Sequence, residues 1–304
     1  MILEYIWIDG KYGMRSKYRV WNSNDDSFNF PIWNYDGSST DQTDTSNSEV
    51  ILCPVASYPN PFLRDHELGK SYLVLCDTYI YNDFGLLVPS NTNNRYQSNI
   101  IFNRSNQDNP WFGLEQEYFM MKNTTCCSNS CPAFGSILKE QCQYYCGVGS
   151  QNILHRQLVE KHMDYCLYAG LSISGANAEV APNQWEFQIG PVEGISAGDQ
   201  LYTARYILCK LAEEYNVTIS FNPKPLRNPW NGSGLHTNFS TNNTRNQHNG
   251  LSIINSYIEK LSHNHDKHLL IYGDNSKRLN TAGMVESDIV VEKRNRKKKV
   301  IYDV

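Results

Sequence analysis

His236, Asn238 and Ser240 occupy alternate positions after an Asn-Gly-Ser-Gly turn in KPLRNPWNGSGLHTNFS, residues 224–240. A strand beginning after Gly234 projects all three from one face, because strand side chains alternate. Imidazole, amide and hydroxyl can then serve one ligand, although a polar strand face standing alone is ordinarily solvated surface. Carboxylates supply the missing context. WFGLEQEYFMM sets Glu115 and Glu117 two residues apart among Trp111, Phe112, Leu114, Tyr118 and Phe119, so both belong to one face of a largely buried strand. NAEVAPNQWEFQIGP repeats the theme with Glu179 and Glu186 beside Trp185, Phe187 and Ile189. Buried paired carboxylates repel one another unless a cation neutralises them. Four glutamates and one histidine, mostly oxygen donors, suit Mg2+ or Mn2+ better than Zn2+. A single glutamate would read as an edge-strand surface residue; four in aromatic surroundings do not.

The elements that must hold these groups follow from periodicity. LEYIWID, MRSKYRV, EVILCPV and SYLVLCDTYIY, bounded by Gly, Pro, Asn and Asp, predict a strand-rich region up to residue 89. The polar run Pro89 to Asn94 predicts a domain boundary. Beyond it helices alternate with the carboxylate strands. Leu154, Leu158, His162 and Cys166 form an i, i+4 row that should stop at Gly170, which makes His162 a helix-face residue and not a ligand. Leu201, Ala204, Leu208, Leu211 and Tyr215 mark a second helix, with Ser196 and Asp199 spaced as a variant capping box. No internal repeat is visible.

Composition narrows the class of function. The 304 residues suffice for two domains with substantial cores. A formal charge of -4 argues against nucleic acid as a partner. No apolar run approaches membrane-spanning length, and the stretch Ile6 to Ile8 is short and bracketed by Glu4 and Asp9, so neither signal peptide nor membrane span is expected. The default is a cytoplasmic protein, and the Asn-x-Ser/Thr sequons at Asn103, Asn123, Asn216, Asn231, Asn238 and Asn242 read as accidents of composition. Nine cysteines, an odd number, fit reduced thiols. Cys127, Cys131, Cys142 and Cys146, with Cys126 adjacent, form two C-x3-C pairs. Zinc knuckles use shorter gaps, so an inserted cysteine-rich surface loop is expected in place of a zinc site.

Taken together, WNYDGSST with SNSEV (33–40 and 46–50), GLEQEY (113–118), YYCGVG (144–149), NAEVAPNQWEFQIGP (177–191) and the KP to HTNFS segment resemble glutamine synthetase of the eukaryotic type, in the family's order and over about residues 2–280. That resemblance implies an α+β fold: a β-grasp domain over 1–89, a catalytic α+β domain over 90–291 that is incomplete at its C-terminal end, and a basic tail over 292–304. It implies ATP-dependent ligation of ammonia to glutamate through a glutamyl phosphate, with Mg2+ or Mn2+ as cofactor and ATP as co-substrate. Residue by residue, Glu117, Glu179 and Glu186 correspond to ligands of the metal on the glutamate side. Glu115 and His236 correspond to ligands of the metal that bridges the ATP phosphates. Trp111, Glu115, the segment Glu186, Phe187, Gln188, Ile189, Gly190 and Pro191, and Asn238 with Ser240 match positions that contact ATP. Asn231, Gly232 and Arg278 match the glutamate site, and Asp36 with Ser39 the ammonium site. Taken alone, Asp36 is an ordinary Asp-Gly turn residue. In the family that loop reaches a neighbouring subunit, so a homo-oligomeric ring with sites between subunits is implied.

The resemblance breaks at the end of the chain. After Lys277, Arg278 and Leu279 the family's T-G-x-H-E-T-S flap is replaced by NTAGMVESD, where Glu286 stands nearest the flap glutamate and Val285 replaces its histidine. The later arginine-rich segments are absent. Such groups are commonly worth roughly 3 kcal/mol each in the transition state. The alternative expectation is therefore a catalytically impaired paralogue that binds nucleotide or metal, or assembles with a full-length enzyme; a narrower one keeps the fold but uses another amine acceptor. Residues 292–304 hold six basic and two acidic groups, which predicts a solvated tail.

Overall fold

The computed structural model describes residues 1–22, 29–64, 69–122, 143–226, 230–272, 289–292 and 299–302. The fold is α+β and divides into two compact units, Met1–Ser105 with Tyr165–Leu171, and Asn106–Asp164 with Ser172–Val304.

The first unit is built on strands β1 (Ile2–Ile8), β2 (Met14–Val20), β3 (Trp33–Asp36), β4 (Glu49–Pro59), β5 (Ser71–Tyr81) and β6 (Leu87–Pro89). They form one sheet in the order β2-β1-β5-β4-β3, with β6 paired to β5. The strand-rich reading of the N-terminal region is borne out, and its sheet is consistent with a β-grasp domain. β1 runs parallel to β5 and antiparallel to β2. Its central position explains its almost continuous burial, since a strand flanked on both edges and covered on both faces has no exposed side. Leu3, Tyr5 and Trp7 pack with Leu52, Val74 and Cys76. On β3 the alternation turns Trp33 and Tyr35 toward that cluster and leaves Asn34 and Asp36 exposed. Helix α1 (Asn94–Arg104) belongs to this unit. Its leading segment is tied to β5, because Asn93 Nδ2 and the Ser90 amide both donate to the Thr78 carbonyl, at 3.1 and 3.0 Å.

The second unit holds β7 (Trp111–Lys122), α2 (Arg156–Tyr168) as far as Asp164, β8 (Ile173–Ala178), β9 (Gln184–Glu193), α3 (Ser196–Glu214), β10 (Val217–Ser220), β11 (Leu235–Ser240), α4 (Gly250–Ser262) and α5 (His265–Ile271), the last turn of α2 from Tyr165 being counted with the first unit. Its main sheet runs β10-β7-β9-β8, with β11 also paired to β7. β7 is therefore an interior strand, which removes the edge-strand reading of its glutamates. One face is covered by α3, through Leu201, Ala204, Leu208 and Leu211, all buried. α2 carries Leu158, His162 and Cys166 into the interior, as their spacing predicted, and ends before Gly170, whose φ is +76°. His162 is fully buried, its ring 5.0 Å from that of Phe187 and its Nε2 3.0 Å from the Ala204 carbonyl oxygen.

The capping box at Ser196 and Asp199 is not formed. α3 starts at Ser196 itself, its cap position is Ile195, and no side chain caps it. Gly194, at φ +55°, turns the chain and accepts from the Ala197 amide, so winding begins early and Ser196 falls inside the first turn. β12 (Ile289–Glu292) ends where the expected solvated tail begins, and it pairs antiparallel with β13 (Lys299–Tyr302) inside that stretch. Among the described residues no helix is long and apolar enough to cross a membrane.

Candidate active site

The site face of the second sheet follows from two alternations locked in register. Along β7 the even residues Leu114, Gln116, Tyr118 and Met120 are buried away from the site, while Glu115 and Glu117 point to the opposite face. Along β9, Trp185, Phe187 and Ile189 are buried, leaving Glu186 and Gln188 for the face of the glutamates. Pairing sets Glu117 opposite Glu186, and Glu115 opposite both Gln188 and His236. Residues distant in sequence thus become cross-strand neighbours.

Two clusters result, and Glu186 belongs to both. The ligand atoms of Glu117, Glu179 and Glu186 lie within 4.8 Å of one another, as do those of Glu115, Glu186 and His236. The first trio is 9%, 8% and 7% exposed. Each carboxylate is aimed by a polar neighbour. The Gly234 amide donates to Glu117 Oε2 at 2.8 Å, Asn177 Nδ2 to Glu179 Oε1 at 2.9 Å, and Asn238 Nδ2 to Glu115 Oε1 at 2.7 Å. Gln188 donates to Glu186, and its Nε2 also reaches Asn177 Oδ1 at 2.9 Å. Gly175 leaves room for this amide, since a Cβ there would lie 2.6 Å from Gln188 Oε1 and push the side chain aside. His236 Nδ1 stands 3.5 Å from Glu115 Oε2. Burial first, and the charge of Glu186 second, push the Glu179 carboxyl above its ordinary range. Three carboxylates held this close and this dry are an arrangement that a divalent cation relieves. The oxygen-rich donor set, with one imidazole, fits a hard cation of the Mg2+ or Mn2+ type.

Beside the second cluster opens a cavity of about 380 Å3, lined by Trp111, Glu115, Gln188, Gly190, Pro191, Asn238 and Ser240 among others. Gly190 has φ +122° and a Cβ on it would meet the Phe112 carbonyl oxygen at 2.5 Å, so no other residue fits the wall there. Ile189 lines the cavity but is 1% exposed, and Phe187 is fully buried against Tyr118 and His162, so the Phe187 side chain belongs to the core. Asn231 and Gly232 lie in the loop before β11, where Gln184 Nε2 donates to the Gly232 carbonyl at 2.7 Å.

Sequence reasoning missed three contributors. Gln184 and Asn177 orient the loop and the carboxylates. Arg245 places its guanidinium 4.2 Å from the Trp111 ring centroid and donates to Ser240 Oγ at 3.0 Å. Arg245 sits in an Asn-rich stretch whose composition announces only a loop. Asp36 and Ser39 lie in the first unit, where Asp36 caps a short 3-10 turn over Gly37–Thr40, accepting from Ser38 Oγ at 2.7 Å and Ser39 Oγ at 2.9 Å. Those hydroxyls hold its carboxyl below the usual range. Arg278, Glu286, Cys126, Cys127, Cys131 and Cys142 fall outside the described residues. Cys146 is an exposed free thiol.

An α+β sheet that gathers buried carboxylates beside a ligand-sized cavity defines a class of protein able to hold divalent cations next to a bound small molecule. Residues 98–264 match the family pattern described as glutamine synthetase, catalytic domain. Over 283 residues the chain is 48% identical to a putative glutamine synthetase of Acanthamoeba polyphaga mimivirus, covering 91% of this chain and 77% of that one. It is 45% identical to a cytosolic glutamine synthetase isozyme of Daucus carota (91% and 77% covered) and 46% to a glutamine synthetase of Candida glabrata (92% and 73%). The Plasmodium falciparum glutamine synthetase solved by cryo-electron microscopy shares the fold, with TM-score 0.60 and 15% identity over 79% of this chain and 50% of that one. The chain therefore spans about half the length of that solved relative. The chain belongs to the glutamine synthetase family, and by that resemblance it stands among the glutamate–ammonia ligases.

Proposed function

We propose that this protein joins ammonia to glutamate at the expense of ATP, through a glutamyl phosphate. The observation that carries this reading is the sharing of Glu186 between two ligand clusters, one beside the cavity and one beside the Asn231–Gly234 loop. A cation at each cluster, Mg2+ or Mn2+, would neutralise phosphate charge and polarise the phosphoryl group being transferred. Glu117, Glu179 and Glu186 would hold the cation on the glutamate side, and Glu115, Glu186 and His236 the one on the ATP side.

The chain's own groups do the positioning. Trp111, Gly190, Pro191, Asn238 and Ser240 form the walls for the nucleotide, and Gln188 connects that cavity to Glu186. Asn231 and Gly232, with Arg278, bind glutamate. A carboxylate oxygen of the glutamate side chain attacks the terminal phosphoryl group of ATP and ADP leaves. Ammonia then adds at the activated carbon and phosphate departs with that oxygen. Asp36, with Ser39, attracts ammonium and accepts its proton, and Glu286 shields the intermediate. Because the matching loop of the family reaches a neighbouring subunit, we assign the site that Asp36 serves to such a neighbour in a homo-oligomeric ring in the cytoplasm. The β-grasp and catalytic domains are taken to meet at residues 89 and 90, with the tail from 292.

The test follows one oxygen. Glutamate labelled with 18O in its side-chain carboxylate, incubated with the chain, ATP, Mg2+ and ammonia, should transfer label into inorganic phosphate. Glutamine produced with unlabelled phosphate would exclude the phosphorylated intermediate.

A further inference from the structure

On the side of β7 away from the carboxylates lies a cation that the proposed reaction does not use. Arg205 of α3 sits between aromatic rings, 4.9 Å from the Phe221 centroid and 5.4 Å from that of Tyr202. Among the described residues no carboxylate pairs with it. Its Nε and Nη2 both donate to one atom, the Oε1 of Gln116, with the Nε bond at 2.8 Å.

Gln116 is 3% exposed. A guanidinium holding the amide oxygen leaves the amide no choice of orientation, because Arg has only donors to offer. The NH2 end is therefore directed at the backbone, donating to the Glu117 carbonyl at 2.7 Å and reaching the Gly234 carbonyl at 3.4 Å. Gly234 is the residue whose amide donates to Glu117 Oε2, and its carbonyl also accepts from the Glu117 amide at 3.1 Å. Hydrogen bonds thus connect α3, through Gln116 and the backbone of Gly234, to a carboxylate of the buried trio.

We propose that Arg205 and Gln116 are positioning residues which hold Gly234 against Glu117, and thereby set the affinity of the Glu117–Glu179–Glu186 cluster for a divalent cation. The inference rests on the reading that this cluster binds the cation. Groups that orient metal ligands typically govern affinity by about 10- to 100-fold, and one further bond removed places this pair at the lower end. A purely architectural role, anchoring α3 to the sheet, predicts something different. Gln116→Glu would satisfy it, since Arg205 would gain an ion pair, while the donor toward Gly234 is replaced by an acceptor facing a carbonyl.

The experiment is a titration of the full chain with Mn2+, read by electron paramagnetic resonance of the free ion, with the melting temperature recorded for each variant. The site of interest is the one that Glu117→Ala abolishes. Gln116→Glu and Arg205→Met should each weaken it about tenfold, and Arg205→Lys, which keeps the charge but not the planar fork, should recover only part of the loss. Gln116→Glu should melt at or above the wild-type temperature. Folded Gln116→Glu and Arg205→Lys that bind Mn2+ as the wild type does would overturn the inference while leaving the metal reading intact. A wild type that binds no more tightly than Glu117→Ala would overturn the metal reading, and the inference with it.

Discussion

Glu186 is the residue on which both clusters depend, so its loss should cost more than the loss of either neighbour. Glu186→Gln keeps the hydrogen-bonding shape but removes one charge from two cation sites, and should reduce glutamine formation by at least about 100-fold. Glu115→Gln, which disturbs one cluster, should chiefly raise the KM for ATP, and steady-state kinetics separate the two patterns. Glu179 yields a pH prediction. Its carboxyl is raised in the folded chain by burial and by Glu186. A raised acid favours folding while protonated, so its contribution is full below the unfolded carboxylate range and is lost as pH rises through the folded value. Without metal, Glu179→Gln should therefore melt higher than the wild type at neutral pH and alike at acid pH; added Mn2+ should reverse the order at neutral pH. Thermal melts across that range, with and without Mn2+, decide it. At this scale the sequence was legible where chemistry and environment disagreed, as for carboxylates within WFGLEQEYFMM. Arg245 was not legible, because its place over Trp111 depends on a loop returning to the cavity.

At the scale of elements, alternation predicted which side chains share a face, but not which strands lie side by side. Glu115 and Glu117 could be assigned to one face from spacing alone; that Glu186 stands opposite Glu117 is a matter of register, fixed by cores such as Phe187 against Tyr118 that no local pattern states. The row in α2 was readable for the same reason that helical spacing usually is, and it carries a consequence. His162 is buried, and desolvation lowers its pKa from 6.5 to about 4. A depressed base stabilises the fold above its unfolded value, and that contribution is lost as pH falls toward the folded value. Stability should decline by roughly 3 kcal/mol between pH 6.5 and 4 from this group alone. Denaturant melts of wild type and His162→Gln, compared at both ends of that window, should show the difference. The start of α3 was misread because capping spacing describes a helix end in isolation, whereas the turn at Gly194 determines where this one winds. At the cavity wall, Gly190→Ala would drive a Cβ into the Phe112 carbonyl at a φ unsuited to it. It should lower the melting temperature and weaken nucleotide binding together, measurable by calorimetry with ADP.

At the scale of the whole molecule, the second unit carries the carboxylates and the cavity, while Asp36 and Ser39 lie in the first. If sites form between subunits, Asp36→Asn and Glu117→Ala chains, each inactive alone, should regain part of the activity when co-assembled, since some mixed interfaces join two intact halves. Assays on chains mixed before and after assembly would show it, and unmixed behaviour at every ratio would place each site within one chain. The sequence changes from strand-rich to alternating near residue 89, whereas the first compact unit continues to Ser105; the tie of Asn93 to Thr78, which joins the start of α1 to β5, is a contact between distant residues that composition does not reveal. The most direct test of the account is glutamine formation by the purified chain from glutamate, ammonia, ATP and Mg2+, measured beside Glu186→Gln. The account predicts glutamine from the wild type, dependent on all four components, and a loss of at least about 100-fold in the variant. No glutamine from the wild type, or equal rates from the two chains, would contradict it.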